Sequence, residues 1–453
     1  MKLRDLLAGV PLTGEMSNRE MEINSISTRL EADLKGALFV ELPGGETAAE
    51  ALASGAAAVL PVGEDPWGTL AKLAGNWFCH PGKRMTLVAV AGSGDSAQVV
   101  HLLDRMLRGM PRVRVGVIAP DRVWINGVEL PAEGREDGLL WVQRTLRHMA
   151  DGGCTHVILQ VDERGLTVRD CAGLRMSVLA LTGPVEKRET LVPLLRSSDT
   201  VVLNLDERGW EDYGSIIPES TFTYSENKAC ADLLAKNLRL FPGHMEFEAV
   251  TVGHIQRIHL PVPGGYSLYH SLCVLACGVC LGLKWERMAR ALRCVAGPGD
   301  RLEVLNMPAA YTVVLDCADE PGAVERLLTC AREFTAGQLI CVLGCPAYRD
   351  PVGYAQLGAV VEQLADRILL SADALNGAER ANVLRQVRSG MGGWQRPCRV
   401  ESCRQQAIAA ALEQAEPGDV IVLAGQKGRN TPDERLLVRE CMSRRKKQVV
   451  TGA

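Results

Sequence analysis

The residues with the clearest chemical pattern lie in the stretch VAVAGSGDSAQVVHLLDRML, at 88–107. The stretch predicts a buried strand, a glycine turn and an amphipathic helix, which is the order of elements in phosphate-binding loops. Such a loop uses Gly-Lys-Ser/Thr to hold phosphates and Mg²⁺, whereas this chain has Asp95, Ser96 and Ala97 there. We therefore predict a degenerate phosphate loop, formed by Gly92, Ser93, Gly94, Asp95, Ser96 and Ala97.

The glycines of this loop have two explanations. The fold can require a tight turn between strand and helix, or the helix N-terminus can bind an anion that is not a nucleotide. Asp95 argues against an anion, because a carboxylate about 4 Å from a phosphate repels it by about 1 kcal/mol in water and by several-fold more in a half-buried cleft. The sequence therefore favours a structural turn that rejects ATP.

The cysteines suggest two further kinds of metal site. Cys273, Cys277 and Cys280 have the C-x₃-C-x₂-C spacing of an iron–sulfur motif, but their segment is apolar and helical spacing places them on one face, which favours packing. Zn²⁺ binding is an alternative to packing for two more pairs, Cys341 with Cys345 and Cys398 with Cys403.

A pair of carboxylates follows a strand-like segment in the last third of the chain. Asp316 and Asp319 are three residues apart in LDCADEPG, just before a helical pattern begins. They have the residue types for proton transfer or metal binding, but this position also favours a helix N-cap. We expect the pair to include a cap.

Composition and charge narrow the class of protein. The chain has 453 residues, a formal net charge of −4 and no long basic block, which argues against nucleic-acid binding. No segment reaches the roughly 18 apolar residues of a membrane span. The fifteen cysteines are expected to be reduced thiols, since the start of the chain lacks the pattern of a signal peptide. We expect a cytoplasmic protein without membrane insertion.

Strand-like and helical segments alternate along most of the chain. Apolar runs such as THVILQV and DVIVLAG predict strands that are buried on both faces of mainly parallel sheets, and hence an α/β fold. We predict a small N-terminal α/β domain at 1–86, a central P-loop-like domain with a mainly parallel sheet at 87–303, and a C-terminal Rossmann-like domain at 304–453. A glycine- and proline-bearing hinge at 295–305 is expected between the last two.

Several segments, in their order, resemble landmarks of the Mur ligase family along almost the full chain. They are MKLRDLLAGVPL, ALFVELPG, DGGCTHVILQV, VPGGYSLYHSL, YTVVLDCADEPGAVERLL and EPGDVIVLAG. Within the family, the chain is most similar to the ligases that add the third peptide residue of the UDP-muramoyl precursor. The resemblance implies the three-domain Mur ligase architecture, with a UDP-sugar domain, an ATPase domain and an amino-acid domain.

The same resemblance implies that the ATP and Mg²⁺ site has been lost. Against the family's GTNGKT loop, Ser96 stands at the lysine and Ala97 at the hydroxyl. Against its metal-binding EVSSHGL segment, QVDERGL gives Gln160 for the glutamate and Arg164 for the histidine, while Arg188 stands at a second metal-site histidine. The segment with the family's carbamylated lysine is missing before TVVLNLDERG. We therefore expect no catalytic residue, no metal and no cofactor.

Substitutions in the C-terminal domain affect the expected amino-acid site. Asn376 replaces the arginine that would bind the carboxylate of the incoming amino acid, and Asp319 and Arg429 stand at family histidines. Other matching positions keep residues that can contact a nucleotide or a sugar phosphate. These are Asn204, Asp206, Arg301, Asp316, Arg349, Asp350 and Lys427.

Three functions remain as hypotheses. The first is a bacterial pseudoenzyme of cell-wall biogenesis that senses or scaffolds, with a UDP-muramoyl peptide or a cell-wall enzyme as partner. The second is an active ATP-dependent ligase of a UDP-muramoyl peptide or related substrate, with a rebuilt site that uses ATP and Mg²⁺. The third is a subunit that depends on a genuine ligase. The coordinated substitutions favour the first.

Overall fold

A computed structural model provides the structure of the chain. It describes residues 1–11, 18–30, 34–45, 47–92, 96–120, 122–131, 134–162, 166–185, 188–210, 213, 216–241, 244–262, 266–295, 303–305, 309–345, 351–372, 377–392, 396–425 and 434–441.

A three-stranded parallel sheet lies in the first 61 residues, with strand order β1-β2-β3. Its strands are β1 (Ser25–Ser27), β2 (Ala37–Glu41) and β3 (Ala58–Pro61), accompanied by α1 (Leu3–Leu6), α2 (Ala48–Ala53) and α3 (Pro66–Phe78). The α2 helix begins with a capping box between Thr47 and Glu50, in which each residue accepts from the backbone N–H of the other. The landmark segment ALFVELPG contains β2.

The central sheet has eleven described strands, in the order β14-β13-β12-β11-β10-β9-β4-β8-β5-β6-β7. Pairing is parallel from β12 through β5 and antiparallel between β5, β6 and β7. The strands are β4 (Thr86–Ala91), β5 (Val115–Ile118), β6 (Val123–Ile125), β7 (Val128–Leu130), β8 (His156–Val161), β9 (Met176–Leu181), β10 (Ser198–Asn204), β11 (Thr221–Ser225), β12 (Leu233–Phe241), β13 (His244–Thr251) and β14 (His254–Leu260).

Helices in the same part of the chain pack apolar faces into the core. Buried side chains of α5, such as Leu146 and Met149, join those of β8 and β9 in one cluster. The helices are α4 (Ser96–Arg108), α5 (Leu139–Asp151), α6 (Val192–Arg196), α7 (Tyr266–Cys280) and α8 (Trp285–Arg293). Short 3₁₀ helices lie at Pro81–Arg84, Arg135–Asp137, Arg169–Cys171 and Arg188–Leu191.

The third sheet has six described strands, in the order β15-β16-β20-β17-β18-β19, and all its pairs are parallel except β15 with β16. The strands are β15 (Glu303–Leu305), β16 (Thr312–Asp316), β17 (Leu339–Gly344), β18 (Arg367–Ser371), β19 (Cys398–Val400) and β20 (Val420–Ala424). The helices are α9 (Pro321–Arg332), α10 (Pro351–Leu364), α11 (Gly377–Ser389) and α12 (Arg404–Gln414).

The α/β fold with mainly parallel sheets is therefore confirmed. Compactness divides the chain into two units, one formed by 1–235, 249–256 and 270–291, the other by 236–248, 257–269 and 292–453. The domain limits at 86 and 303 stay a prediction. Among the described residues, no helix combines the length and the apolar character that a membrane crossing requires.

A buried ion pair lies in the unit that contains residues 292–453, the C-terminal unit. The guanidinium of Arg404 contacts the carboxylate of Glu434, with side chains that are 6% and 4% exposed, and Nη1 of Arg404 donates to the Ala424 carbonyl over 2.8 Å. The pair therefore joins the start of α12 to the end of β20 and to the helical segment at 434–441.

Replacement of Arg404 should destabilise the C-terminal unit more than replacement of the whole pair. Arg404→Met leaves the Glu434 carboxylate buried and unpaired, and we expect a loss of about 3–5 kcal/mol in unfolding free energy, measured by urea denaturation. Arg404→Met combined with Glu434→Leu removes both charges and should recover most of that loss. A double variant as unstable as the single one would contradict this electrostatic explanation.

Candidate functional site

The strand that precedes the predicted loop lies in the middle of the central sheet. β4 is paired with β8 on one side and β9 on the other, and Val90 is in register with Gln160. Parallel strands end at the same edge of a sheet, which is where α/β proteins bind ligands. The sequence thus folds so that the turn after β4 and the end of β8 lie next to each other.

Gly92 begins the turn in a conformation that favours glycine. Its φ is +124°, and a Cβ atom on it would lie 2.4 Å from the carbonyl oxygen and 2.7 Å from the nitrogen of Gly183. The same two segments are joined by a hydrogen bond of 2.8 Å from Thr182 N–H to the carbonyl oxygen of Ala91. The turn that begins at Gly92 thus packs closely against the segment at 182–183. This packing explains why residue 92 is a glycine, and no phosphate binding is needed to explain it.

Ser96 and Gln160 form a buried pair at this edge of the sheet. Ser96 begins α4 and is 8% exposed, while Gln160 lies near the end of β8 and is 9% exposed. The side-chain amide of Gln160 donates to the Ser96 hydroxyl over 3.1 Å. By resemblance, these positions belong to the phosphate-binding lysine and a metal-binding carboxylate, and here they satisfy each other as neutral groups.

The described part of the loop carries no formal charge. Gly92, Ser96 and Gln160 are neutral, and Ala97 is exposed on the first turn of α4. A magnesium site needs oxygen ligands with negative charge, and phosphate binding needs a cation or free N–H groups. The residues that the structure describes at this point thus provide a hydrogen bond and a turn, without the charges of a phosphoryl-transfer site.

Asn204 and Asp206 stabilise a loop. The Asn204 side chain accepts from the backbone N–H of Asp206 over 3.0 Å. The Asp206 carboxylate accepts from the Ser225 hydroxyl and from the Glu226 backbone N–H, both at 2.7 Å. The predicted contact of these two residues with a nucleotide or sugar phosphate stays a prediction, and the carboxylate oxygens already have protein donors.

Asp316 closes a turn at the end of β16. Its Oδ1 accepts from the backbone N–H of Ala318 over 2.7 Å. The expectation that Asp316 or Asp319 caps the next helix is wrong, because α9 has Glu320 at its N-cap and that cap lacks a side-chain hydrogen bond. Pro321 at the first helical position has no N–H, which reduces the need for a cap.

The remaining predicted site residues lie outside the described residues, except that Arg188 is described by its backbone at the start of a 3₁₀ helix. Those outside are Ser93, Gly94, Asp95, Arg164, Arg301, Arg349, Asp350 and Lys427, together with Asn376 and Arg429. Their proposed roles rest on the sequence alone.

The cysteines of α7 pack inside the protein. Cys273 and Cys277 are fully buried, and burial raises the pKa of the Cys280 thiol to about 12. A hydrogen bond with Cys273, together with burial, holds the pKa of Cys277 well above its usual range. All fifteen cysteines are free thiols. Fully buried cysteines inside an apolar helix behave as small apolar side chains, which favours packing over an iron–sulfur cluster.

Burial also raises the pKa of the Cys341 thiol to about 12. Among the described residues, one group of three histidine, cysteine or carboxylate side chains is close enough to share a metal ion, and it contains no cysteine. It consists of His244, Glu246 and His259, which sequence reasoning missed. The available signal was the spacing of His244 and Glu246, two residues apart in a strand.

Comparisons with known proteins agree with the fold. Residues 300–427 match the family model described as "Mur ligase, glutamate ligase domain". The UDP-N-acetylmuramoyl-L-alanyl-D-glutamate–2,6-diaminopimelate ligase of Clostridioides difficile is 22% identical over 98% of this chain and 100% of its own length. The enzyme of the same name from Gloeobacter violaceus is 26% identical over 98% and 99%.

Solved structures show the same architecture. A UDP-N-acetylmuramoyl-L-alanyl-D-glutamate–2,6-diaminopimelate ligase structure has a TM-score of 0.78 at 18% identity and covers 98% of this chain and 99% of its own. The MurF ligase from Thermotoga maritima in complex with ADP has a TM-score of 0.55 at 16% identity and covers 97% and 100%. These likenesses show the fold, over almost the full length of both chains.

Replacement of Gly92 should reduce stability by more than the strain of a positive φ. In Gly92→Ala the added Cβ meets the backbone of Gly183, so we expect a loss of about 2–5 kcal/mol, measured by urea denaturation. Gly44 is the matched control, since its φ is +76° but nothing lies within 4 Å of a Cβ built there. Gly44→Ala should cost about 1–2 kcal/mol. Equal losses in the two variants would contradict the proposed close packing.

Proposed function

Because this chain is a Mur ligase homologue along its whole length, we propose that it serves peptidoglycan-precursor synthesis as a cytoplasmic binding protein. In this proposal it binds a UDP-muramoyl peptide, to sense it or to scaffold a cell-wall enzyme, and forms no amide bond with ATP. The observation that carries the proposal is the buried hydrogen bond between Gln160 and Ser96.

The physical argument concerns charge. Mg²⁺ prefers oxygen ligands, usually carboxylates, and the phosphates of ATP need cations or N–H groups. The side chains of Gln160 and Ser96 carry neither a negative charge for Mg²⁺ nor a positive charge for phosphate. If either side chain bound a ligand, a buried hydrogen bond would break, at a cost of about 1–3 kcal/mol. The pair therefore supports a site in which protein groups satisfy each other instead of binding nucleotide.

Sequence positions outside the described residues support the same proposal. Asp95 introduces a negative charge into the loop, and Arg164 stands where the resemblance expects a metal-site histidine. The missing segment with the family's carbamylated lysine removes another metal ligand. A single substitution could be compensated by another residue. These changes together affect several of the groups that phosphoryl transfer from ATP requires.

The second candidate is an active ligase with a rebuilt site. The comparisons favour it, because the relatives they name are ligases and one related structure was solved with ADP. A rebuilt site would need a cation and metal ligands from other positions, such as Arg301, Arg349 or Lys427. Nucleotide binding and phosphate release separate the two candidates.

ATP binding should depend on the charges of the loop. Isothermal titration calorimetry of the wild-type protein with Mg²⁺ and ATP should give no binding heat. A variant with Asp95→Gly, Ser96→Lys and Ala97→Thr replaces a negative by a positive charge, which favours phosphate by about 2 kcal/mol or more. We expect its affinity for ATP to rise by at least about 30-fold, so that binding heat is detected for the variant and not for the wild type.

The matched control is Ser93→Thr, which changes the same loop without changing its charge and should leave the wild-type result unaltered. Circular dichroism checks that all variants are folded. Micromolar binding of ATP by the wild-type protein would contradict the first candidate and support the second.

Phosphate release tests catalysis directly. The wild-type protein with ATP, Mg²⁺, UDP-muramoyl dipeptide and a panel of amino acids should release no phosphate above background, because the described loop lacks the charges for phosphoryl transfer. A diaminopimelate-adding ligase in the same assay is the positive control. Release that depends on one amino acid would identify an active ligase and its substrate.

Binding of the precursor is the positive part of the proposal. UDP-muramoyl dipeptide without ATP should raise the unfolding temperature of the wild-type protein in a thermal-shift assay, because a ligand that binds only the folded state stabilises it. UDP alone and UDP-N-acetylglucosamine are the controls for the muramoyl peptide. Absence of any shift at millimolar precursor would exclude a precursor sensor. A pull-down from the source cell that recovers a ligase would then favour the dependent subunit.

A further inference from the structure

Three possible metal ligands lie together on the neighbouring strands β13 and β14. His244 and Glu246 are two residues apart on β13, so their side chains lie on the same face of the sheet. His259 is on β14, the strand next to β13 in the sheet. One ligand atom from each residue lies within 4.8 Å of one from each of the others.

The contacts within this group are those of a compact cluster. Nδ1 of His259 is 3.3 Å from Oε1 of Glu246, and the two imidazole rings have centroids 4.7 Å apart. All three side chains are half-buried, which leaves them accessible to an ion from solvent. The cluster is therefore open on one side and closed by the sheet on the other.

Neighbouring residues restrict the orientation of the cluster. The ring of Phe241 stacks on His244 with centroids 4.5 Å apart and planes 7° from parallel. Met245 and Phe247 alternate with the cluster residues on β13 and are buried on the opposite face of the sheet. Their burial determines which face of the sheet His244 and Glu246 occupy. A strand slip by one residue would bury His244 and Glu246, so the packing holds both on the open face.

We propose that His244, Glu246 and His259 bind a first-row transition metal ion, with Zn²⁺ as the expected ion. Two imidazoles and one carboxylate form a ligand set that Zn²⁺ takes in proteins, with water in the fourth position. Imidazole ligands favour Zn²⁺ over Mg²⁺ or Ca²⁺, which prefer oxygen. Tetrahedral bonds of about 2.0–2.1 Å place ligand atoms about 3.3 Å apart, so side-chain rotations have to bring the outermost atoms closer by about 1.5 Å.

Arg257 competes with the ion for Glu246. Its Nη2 is 2.6 Å from Oε2 of Glu246, and its side chain is 65% exposed. The guanidinium occupies one carboxylate oxygen and repels a cation, but its exposure lets it move into solvent when a metal binds. Arg257 thus lowers the affinity of the site, and its removal should raise it.

Zinc titration of untagged protein tests the proposal, with calorimetry for affinity and X-ray absorption for ligand type. The wild type should bind one equivalent of Zn²⁺ at the cluster, with nitrogen or oxygen ligands at about 2.0–2.1 Å and no sulfur near 2.3 Å. His259→Ala should weaken binding at least tenfold, since even residues behind a metal ligand change affinity by about 10–100-fold. Arg257→Gln should strengthen binding.

His254→Ala is the matched control, because His254 begins the same strand but stacks on Trp285, with ring centroids 5.2 Å apart, and lies outside the cluster. It should bind Zn²⁺ as the wild type does. Circular dichroism checks that the variants are folded. Sulfur ligands at about 2.3 Å, affinity unchanged in His259→Ala, or no zinc binding by the wild type would each overturn the proposal.

Discussion

The close packing of two backbone turns at the end of β4 is the constraint on which the candidate site depends. β4 is paired on both sides, with β8 and β9, so the positions of its last residues are fixed by two neighbouring strands. The turn that follows meets the backbone of Gly183 at a distance that only glycine permits. This packing requires a glycine at 92 whether or not a phosphate binds, because a Cβ there would meet the backbone of Gly183.

The glycine of the turn and the charged groups of a phosphate site can therefore be lost independently. Packing of the fold requires Gly92, whereas only ligand binding requires a lysine, a hydroxyl and a metal carboxylate at the other positions. Among the described residues the glycine is present at 92, and two of the three positions of the lysine, the hydroxyl and the metal carboxylate hold neutral side chains that bond to each other, Ser96 and Gln160. The buried Ser96 hydroxyl and Gln160 amide each need a hydrogen-bond partner when no ligand is bound, and each provides that partner for the other.

The sequence predicts parts of this structure well because long apolar runs leave few alternatives. THVILQV and DVIVLAG could be assigned to buried strands, and they form β8 and β20. The strands β12, β13 and β14 were missed, since alternating polar residues such as those of HMEFEAV resemble loop or edge sequence as much as a strand. The error at Asp316 has a similar origin, because an aspartate before a helix can cap the helix or close the preceding turn, and spacing does not separate the two.

The contact between Ser96 and Gln160 could be predicted only in part. The resemblance named both positions, but they are 64 residues apart and only the register of β4 with β8 brings them together. The cluster of His244, Glu246 and His259 is local by comparison, yet it needs the pairing of β13 with β14. Its chemistry is also distinct from that of the degenerate loop, since two imidazoles select a transition metal while a phosphoryl-transfer site selects Mg²⁺ through oxygen ligands. Zinc binding and the absence of ATP turnover are thus separate properties, and the outcome for one leaves the other undecided.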